Sequence, residues 1–204
     1  MSCIYCNHYI LYKLNDGYYK CAKCKRKFSP KKIERKAKIL KGFLDLLTPN
    51  EISKKYNISY STVVKEIKNI RRVIADICEK EFLKKENINE FEEYLYIPKS
   101  LKKSPNSIYK AQNFLTIDYG GNIYNIMLSN MKNYETLSPN EIKSMFRQSK
   151  IIKIYEKTTI KKFWIFFEKF IKRFKGISEK EFFYYLKEAE FRFNGYKIEV
   201  KDLF

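Results

Sequence analysis

Apolar positions along the chain change their spacing three times, and each change marks a different kind of structure. Residues 2–28 are poor in aliphatic side chains, and the turn Asn15-Asp16-Gly17 predicts a hairpin with strands over 9–14 and 18–20. Helical spacing follows. Ile33, Ala37, Leu40, Phe43, Leu44 and Leu47 form one stripe, which Thr48-Pro49 stops. Residues 49–56 then predict a short helix, 57–59 a turn with Ser59 as N-cap, and 60–82 a longer helix. Their apolar set (Ile52, Tyr56, Ile58, Val63, Val64, Ile67) has the spacing of a helix-turn-helix. Beyond residue 85 come strand-like runs at 88–97, 113–119 and 123–129, the last two joined by Gly120-Gly121-Asn122. Ser138-Pro139-x-Glu141 opens a helix over 138–148. A short apolar strand at 151–155 and helices at 159–174 and 178–193, broken at Gly176, complete the pattern.

Composition adds a polyanionic partner. The formal net charge is +19, and residues 1–86 carry 21 Lys and Arg against 9 Asp and Glu. A-and-T-rich codons enrich Lys, Ile, Asn, Tyr and Phe together, so the uneven distribution says more than the total. Nucleic acid ranks ahead of a membrane surface as the partner, with double-stranded DNA expected and RNA the alternative. No stretch of eighteen apolar residues occurs, and the N-terminus has no apolar leader, so the expectation is a cytoplasmic protein without a membrane partner. Aromatic residues make up 17 % of the chain, enough to build a core despite the charge.

Four cysteines supply the sharpest chemistry. Cys3-x-x-Cys6 and Cys21-x-x-Cys24 are two knuckles separated by one hairpin, the spacing of a tetrahedral four-cysteine site for structural Zn2+. Two disulfides are the competing reading. His8 is expected on the surface, Tyr5, Tyr12, Tyr19 and Phe28 around the metal site, and Cys78 buried in a helix. In the helix-turn-helix, Tyr60, Ser61, Thr62 and Lys65 are the positions expected to reach base edges. Lys68, Arg71 and Arg72 suit phosphates, as do the Lys and Arg of residues 23–41. A helical hairpin with a solvated basic face is the bland alternative.

These elements predict an α+β chain in three segments: a zinc ribbon (1–29), a helix-turn-helix domain (30–86), and an α/β domain (87–204). The order of the last is that of a shortened RNase-H-like sheet followed by C-terminal helices. The ribbon, its Tyr-Lys-Cys-x-x-Cys-x-Arg-x-Phe-Ser ending at Ser29, and the following helix-turn-helix resemble zinc-ribbon insertion-sequence transposases. Phe163-Trp164, Phe174-Lys175-Gly176, Ser178, Tyr185-Leu186 and Glu190-Phe191-Arg192-Phe193-Asn194 resemble that family's closing segment.

The resemblance implies an RNase-H-like DDE-type nuclease, in which two Asp and one Glu hold a pair of Mg2+ ions for phosphodiester attack. At the matching positions this chain has Glu92, Glu156 and Lys161. An ammonium cannot ligate Mg2+, so the resemblance implies a DNA-binding derivative whose catalytic positions have degenerated. In one reading Lys161 stands in for metal charge between Glu92 and Glu156; in the other it is merely solvated. Two alternatives remain: an active transposase using Glu92, Glu93 and Glu156 with Mg2+, and a regulator that forms a homodimer through the aromatic residues of 159–174.

Overall fold

The computed structural model describes residues 1–85, 87–98, 107–129, 131–134, 136–138, 140–141 and 158–204. The chain is α+β, with two three-stranded antiparallel sheets and five helices among the described residues. It divides into two compact units, Met1–Ile74 with Lys197–Phe204, and Ala75–Tyr196. No helix among the described residues is long and apolar enough to cross a membrane.

The first unit opens with a sheet of β1 (Leu11–Lys13), β2 (Tyr19–Cys21) and β3 (Lys27–Phe28) in sequential antiparallel order. Gly17, at φ +78, allows the hairpin between β1 and β2, and Asp16 Oδ1 accepts the Tyr18 N–H. The third strand is too short to leave a periodic signal. Three helices follow: α1 (Pro30–Leu44), α2 (Pro49–Tyr56) and α3 (Tyr60–Leu83), the last running past the boundary of the unit.

Capping explains where these helices start and stop. Ser29 Oγ accepts the Lys32 N–H ahead of Pro30. Thr48 and Glu51 form a reciprocal capping box ahead of Pro49. Thr48-Pro49 thus begins α2. The helix before it has already ended at Leu44, where Leu46 turns left-handed and Leu47 N–H closes onto Gly42 C=O at 3.0 Å. Asn57, left-handed at φ 52, ends α2, and Ser59 C=O accepts the first bond of α3 from Val63 N–H.

Ile39, Leu40 and Phe43 of α1, Ile52 of α2, and Val63, Ile67, Ile70 and Ile74 of α3 are buried. A Cβ at Gly42 would lie 2.7 Å from Ile52 Cγ1. Gly42→Ala is therefore expected to destabilise the unit by about 1 kcal/mol, because overpacking of roughly 1–3 kcal/mol outweighs the gain in helix propensity. Urea denaturation followed by helical circular dichroism checks the sign.

The C-terminal segment, with a short 3-10 turn at Val200–Leu203, belongs to this same unit. Lys36, within the basic run expected to grip phosphates, is buried there instead. Its ammonium donates to Leu203 C=O at 2.8 Å, pairs with Glu66 at 3.4 Å and lies over the Phe204 ring.

The second unit is built on an antiparallel sheet of β4 (Glu90–Tyr96), β5 (Gln112–Tyr119) and β6 (Asn122–Met127) in sequential order. Gly120 and Gly121, both at positive φ, form the β5–β6 turn. The helices α4 (Thr159–Ile171) and α5 (Glu179–Phe193) pack with the sheet and with each other through Phe163, Phe167, Phe170, Phe182 and Leu186. Ser138 and Glu141 exchange the two bonds of a capping box, as their spacing predicts. The remainder of the helix expected at 138–148, and the strand at 151–155, lie outside the described residues.

Edge strand β6 is closed by α5. Asn194 accepts the Ile123 N–H through Oδ1 and donates from Nδ2 to Ile123 C=O, at 2.8 and 2.7 Å, completing both backbone groups as a neighbouring strand would. Glu190 accepts the Asn125 N–H at 2.8 Å.

Candidate metal centre and nucleic-acid interface

The two cysteine knuckles fold alike. In each, the residue after the second cysteine is left-handed (Asn7, φ 57; Lys25, φ 61) and its N–H bonds to the carbonyl of the first cysteine. The first cysteine's own N–H is held by a carbonyl five residues on, Cys3 to His8 at 2.9 Å and Cys21 to Arg26 at 3.0 Å. Equivalent backbone turns present equivalent sulfurs. Cys3 and Cys24 Sγ are 3.6 Å apart, as are Cys6 and Cys21, and all four lie within 4.8 Å of one another.

A tetrahedron with Zn–S near ~2.3 Å places its sulfurs about 3.8 Å apart, whereas a disulfide requires ~2.05 Å. The sulfur spacings fit the tetrahedron and are too long for disulfides, and all five cysteines are free. The cluster can hold a metal ion such as zinc, and among the described residues it is the one such group of three or more His, Cys, Asp and Glu. His8 lies outside the cluster, half-buried beside Tyr9.

Phe28, Tyr5 and Tyr19 pack against the cysteines together with Leu11 and Ile33. Tyr12 does not. Alternation places it on the opposite face of the hairpin, where it is exposed. Cys78 is buried, and desolvation pushes its thiol far above the ordinary range, which makes it inert.

The nucleic-acid candidates separate by helical phase. Ser61, Lys65, Lys68 and Arg72 recur at helical spacing and are all exposed, with Tyr60 beside them at the start of α3. Val63, Ile67, Ile70 and Ile74 line the opposite, buried side. Thr62 is half-buried, and its Oγ1 accepts the Ser59 hydroxyl at 2.7 Å. Arg71 departs from the phosphate-binding expectation. It is buried, with its guanidinium over the Phe43 ring at 5.9 Å, because one helical step from Arg72 turns it into the bundle.

In the second unit, Glu92 is half-buried and stands opposite Thr116 in the sheet. Thr116 Oγ1 accepts the Trp164 indole N–H at 3.0 Å, and Lys161 lies one turn before Trp164 on α4. Glu92 thus shares a face of the sheet with Thr116, which α4 meets through Trp164, while Glu156 lies outside the described residues. Glu93 faces the other side of β4, where it accepts the Asn113 amide at 2.6 Å. Glu92 and Glu93 consequently point to opposite faces of the sheet.

Of the α4 aromatics, Phe163, Phe167 and Phe170 are buried, and Phe166 stacks on Phe170 and lies tilted against Phe193. Phe174 lies against Phe170 and Tyr185. Ile165, rather than any of these rings, is the exposed large apolar residue of the helix.

Thr116 begins a buried polar chain that sequence reasoning missed. Its hydroxyl donates to Asn125 Oδ1 at 2.8 Å, and Asn125 Nδ2 donates to Glu190 Oε2 at 2.9 Å. Lys187 Nζ donates to both Glu190 oxygens and sits 3.5 Å over the Tyr124 ring. Burial raises the Glu190 carboxyl above its ordinary value, against the lowering influence of Lys187 and Asn125. A Lys and a Glu three apart on a helix read in sequence as a solvated pair, so no signal there could have exposed this core. No family model, no curated protein and no solved structure matches this chain.

Proposed function

We propose that this chain is a double-stranded-DNA-binding protein of insertion-sequence-transposase descent, acting in the cytoplasm and no longer able to cleave DNA. Its four-cysteine site holds structural zinc, α2 and α3 form a helix-turn-helix, and the second unit is a shortened RNase-H-like domain.

One observation carries the binding half of this reading: the exposed stripe Ser61, Lys65, Lys68 and Arg72 at the front of α3, just after a capped short helix and a tight turn. That is the arrangement by which a second helix enters a major groove. In this reading Tyr60, Ser61 and Lys65 meet base edges, and Lys68 and Arg72 the phosphates.

Support for descent comes from the sequential antiparallel order of β4, β5 and β6 and from the work of the closing motif. Trp164, Glu190 and Asn194 each hold a strand of that sheet. Loss of cleavage follows in this reading from Lys161, whose cation would oppose metal ions at the position where the resemblance expects a carboxylate.

Binding to mixed-sequence duplex is expected to weaken linearly with log salt, at a slope of about −0.9 per phosphate neutralised. Lys68→Ala is expected to lower the magnitude of that slope by about 1 and weaken all duplexes alike. Arg71→Ala acts differently, reducing thermal stability while leaving the slope of the folded protein unchanged. A slope near zero in the parent chain, read by fluorescence anisotropy, would falsify the DNA-binding reading.

A further inference from the structure

The outer face of the ribbon hairpin has an exposed chemistry of its own. Lys20 of β2 stands opposite Tyr12 on one side and Lys27 on the other, so the three side chains form a row across the sheet. They lie on the face opposite Cys21 and Phe28. Period-two alternation extends this face to Ile10, whose carbonyl accepts the Ala22 N–H, and to Tyr18, whose carbonyl accepts the Leu14 N–H. Tyr12 is 55 % exposed, Tyr18 43 % and Ile10 44 %, and Tyr9 reaches 77 % at the margin.

Three exposed tyrosines on one small hairpin are more apolar surface than a ribbon needs to leave in water. The charge around them has one sign. Residues 1–33 hold eight Lys and Arg and a single acid, Asp16, which is engaged by the Tyr18 N–H in the turn.

We propose that this face binds single-stranded DNA, with an unpaired base stacked on Tyr12 and the flanking phosphates held by Lys20 and Lys27. A duplex hides the faces of its bases, so exposed phenol rings find a partner only where bases are unpaired. Lysines on the two neighbouring strands stand about 5–10 Å from the ring, within reach of the backbone on one side of a stacked base. An acidic peptide would satisfy the lysines and leave the rings in water. The choice of DNA over RNA rests on the duplex reading of α3; the stacking site itself uses none of the α3 residues.

The test measures affinity of the full-length, zinc-loaded chain for labelled oligo(dT), oligo(U) and a duplex, side by side. Tyr12→Ala is expected to weaken oligo(dT) binding about tenfold while duplex binding changes less than about twofold, and Tyr12→Trp to retain the parent affinity. Lys20→Ala with Lys27→Ala should lower the magnitude of the oligo(dT) salt slope by about 1.4, at roughly 0.7 per phosphate on a single strand. Metal content confirms that each variant is folded, and Tyr12, being exposed, contributes little to the core.

The proposal is overturned if Tyr12→Ala leaves oligo(dT) affinity unchanged, lowers both affinities equally, or if oligo(U) binds more tightly than oligo(dT). Failure of the duplex reading shows itself separately, as insensitivity of duplex binding to Lys68→Ala.

Discussion

Stripping the metal with a chelator, or replacing Cys21 with Ser, is expected to unfold residues 2–28 while the second unit stays folded. The ribbon's own core is Phe28 with Tyr5, Tyr19, Leu11 and Ile33 around the cysteines, too little to outweigh the entropy of ordering a hairpin and two knuckles. Metal binding supplies roughly 10–16 kcal/mol in comparable small domains, more than any other interaction available here.

The apo sulfurs also conflict with one another. Burial raises Cys21, but N–H groups of Cys24 and Lys23 and the thiols of Cys6 and Cys24 bring it down to about 7. Cys24, despite the Arg26 backbone N–H that lowers it, is pushed up to about 11 by burial and by the other three cysteines. Cys21 ionises readily and Cys24 resists, until a cation shares the charge. Acid should therefore displace the metal as protons are taken up. Limited proteolysis with and without chelator checks this, with new cleavage expected within residues 2–28 and one zinc bound per chain. Unchanged protease resistance after complete metal removal would show that packing alone holds the ribbon.

Glu190→Ala is expected to be the most damaging single substitution in the second unit. It removes the carboxylate that both Lys187 and Asn125 depend on. The Lys187 ammonium, 2 % exposed, would keep only ring faces, and the Asn125 N–H on the edge strand would lose its acceptor. Breaking one side of a buried pair costs about 3–5 kcal/mol, which lowers the melting temperature by roughly 10 °C in a chain of this size. Combining Glu190→Ala with Lys187→Met should recover part of the loss, since the uncompensated charge goes too. A melting curve for each single and the double variant gives the coupling. Equal melting temperatures for Glu190→Ala and the parent would mean that the pair is not buried in solution.

Much of the fold is legible in the chain because its signals are local. Each knuckle is a turn of five residues, so Cys3-x-x-Cys6 and Cys21-x-x-Cys24 declare their sulfurs without help from the rest of the protein. The strands expected at 113–119 and 123–129 and the helix expected at 178–193 match β5, β6 and α5 to within two residues at each end, because glycine turns and caps mark their limits. Less was legible in the candidate site. Arg71 and Arg72 are identical in type and adjacent, yet one packs on Phe43 while the other faces solvent. Lys36 looks like one more member of a basic run, and only a segment 167 residues away shows that it is a core residue.

By itself, then, the sequence determined the cysteine cluster, the three-helix arrangement after it, the antiparallel meander and the excess of positive charge. Spacing and turn chemistry act over a few residues, and they need no distant partner. The tertiary structure alone decided which cations remain at the surface, that Tyr12 turns away from the metal, and that Glu190 and Lys187 lie in the core. Each of these depends on which face of an element meets another element, a choice made by side chains far apart in the chain.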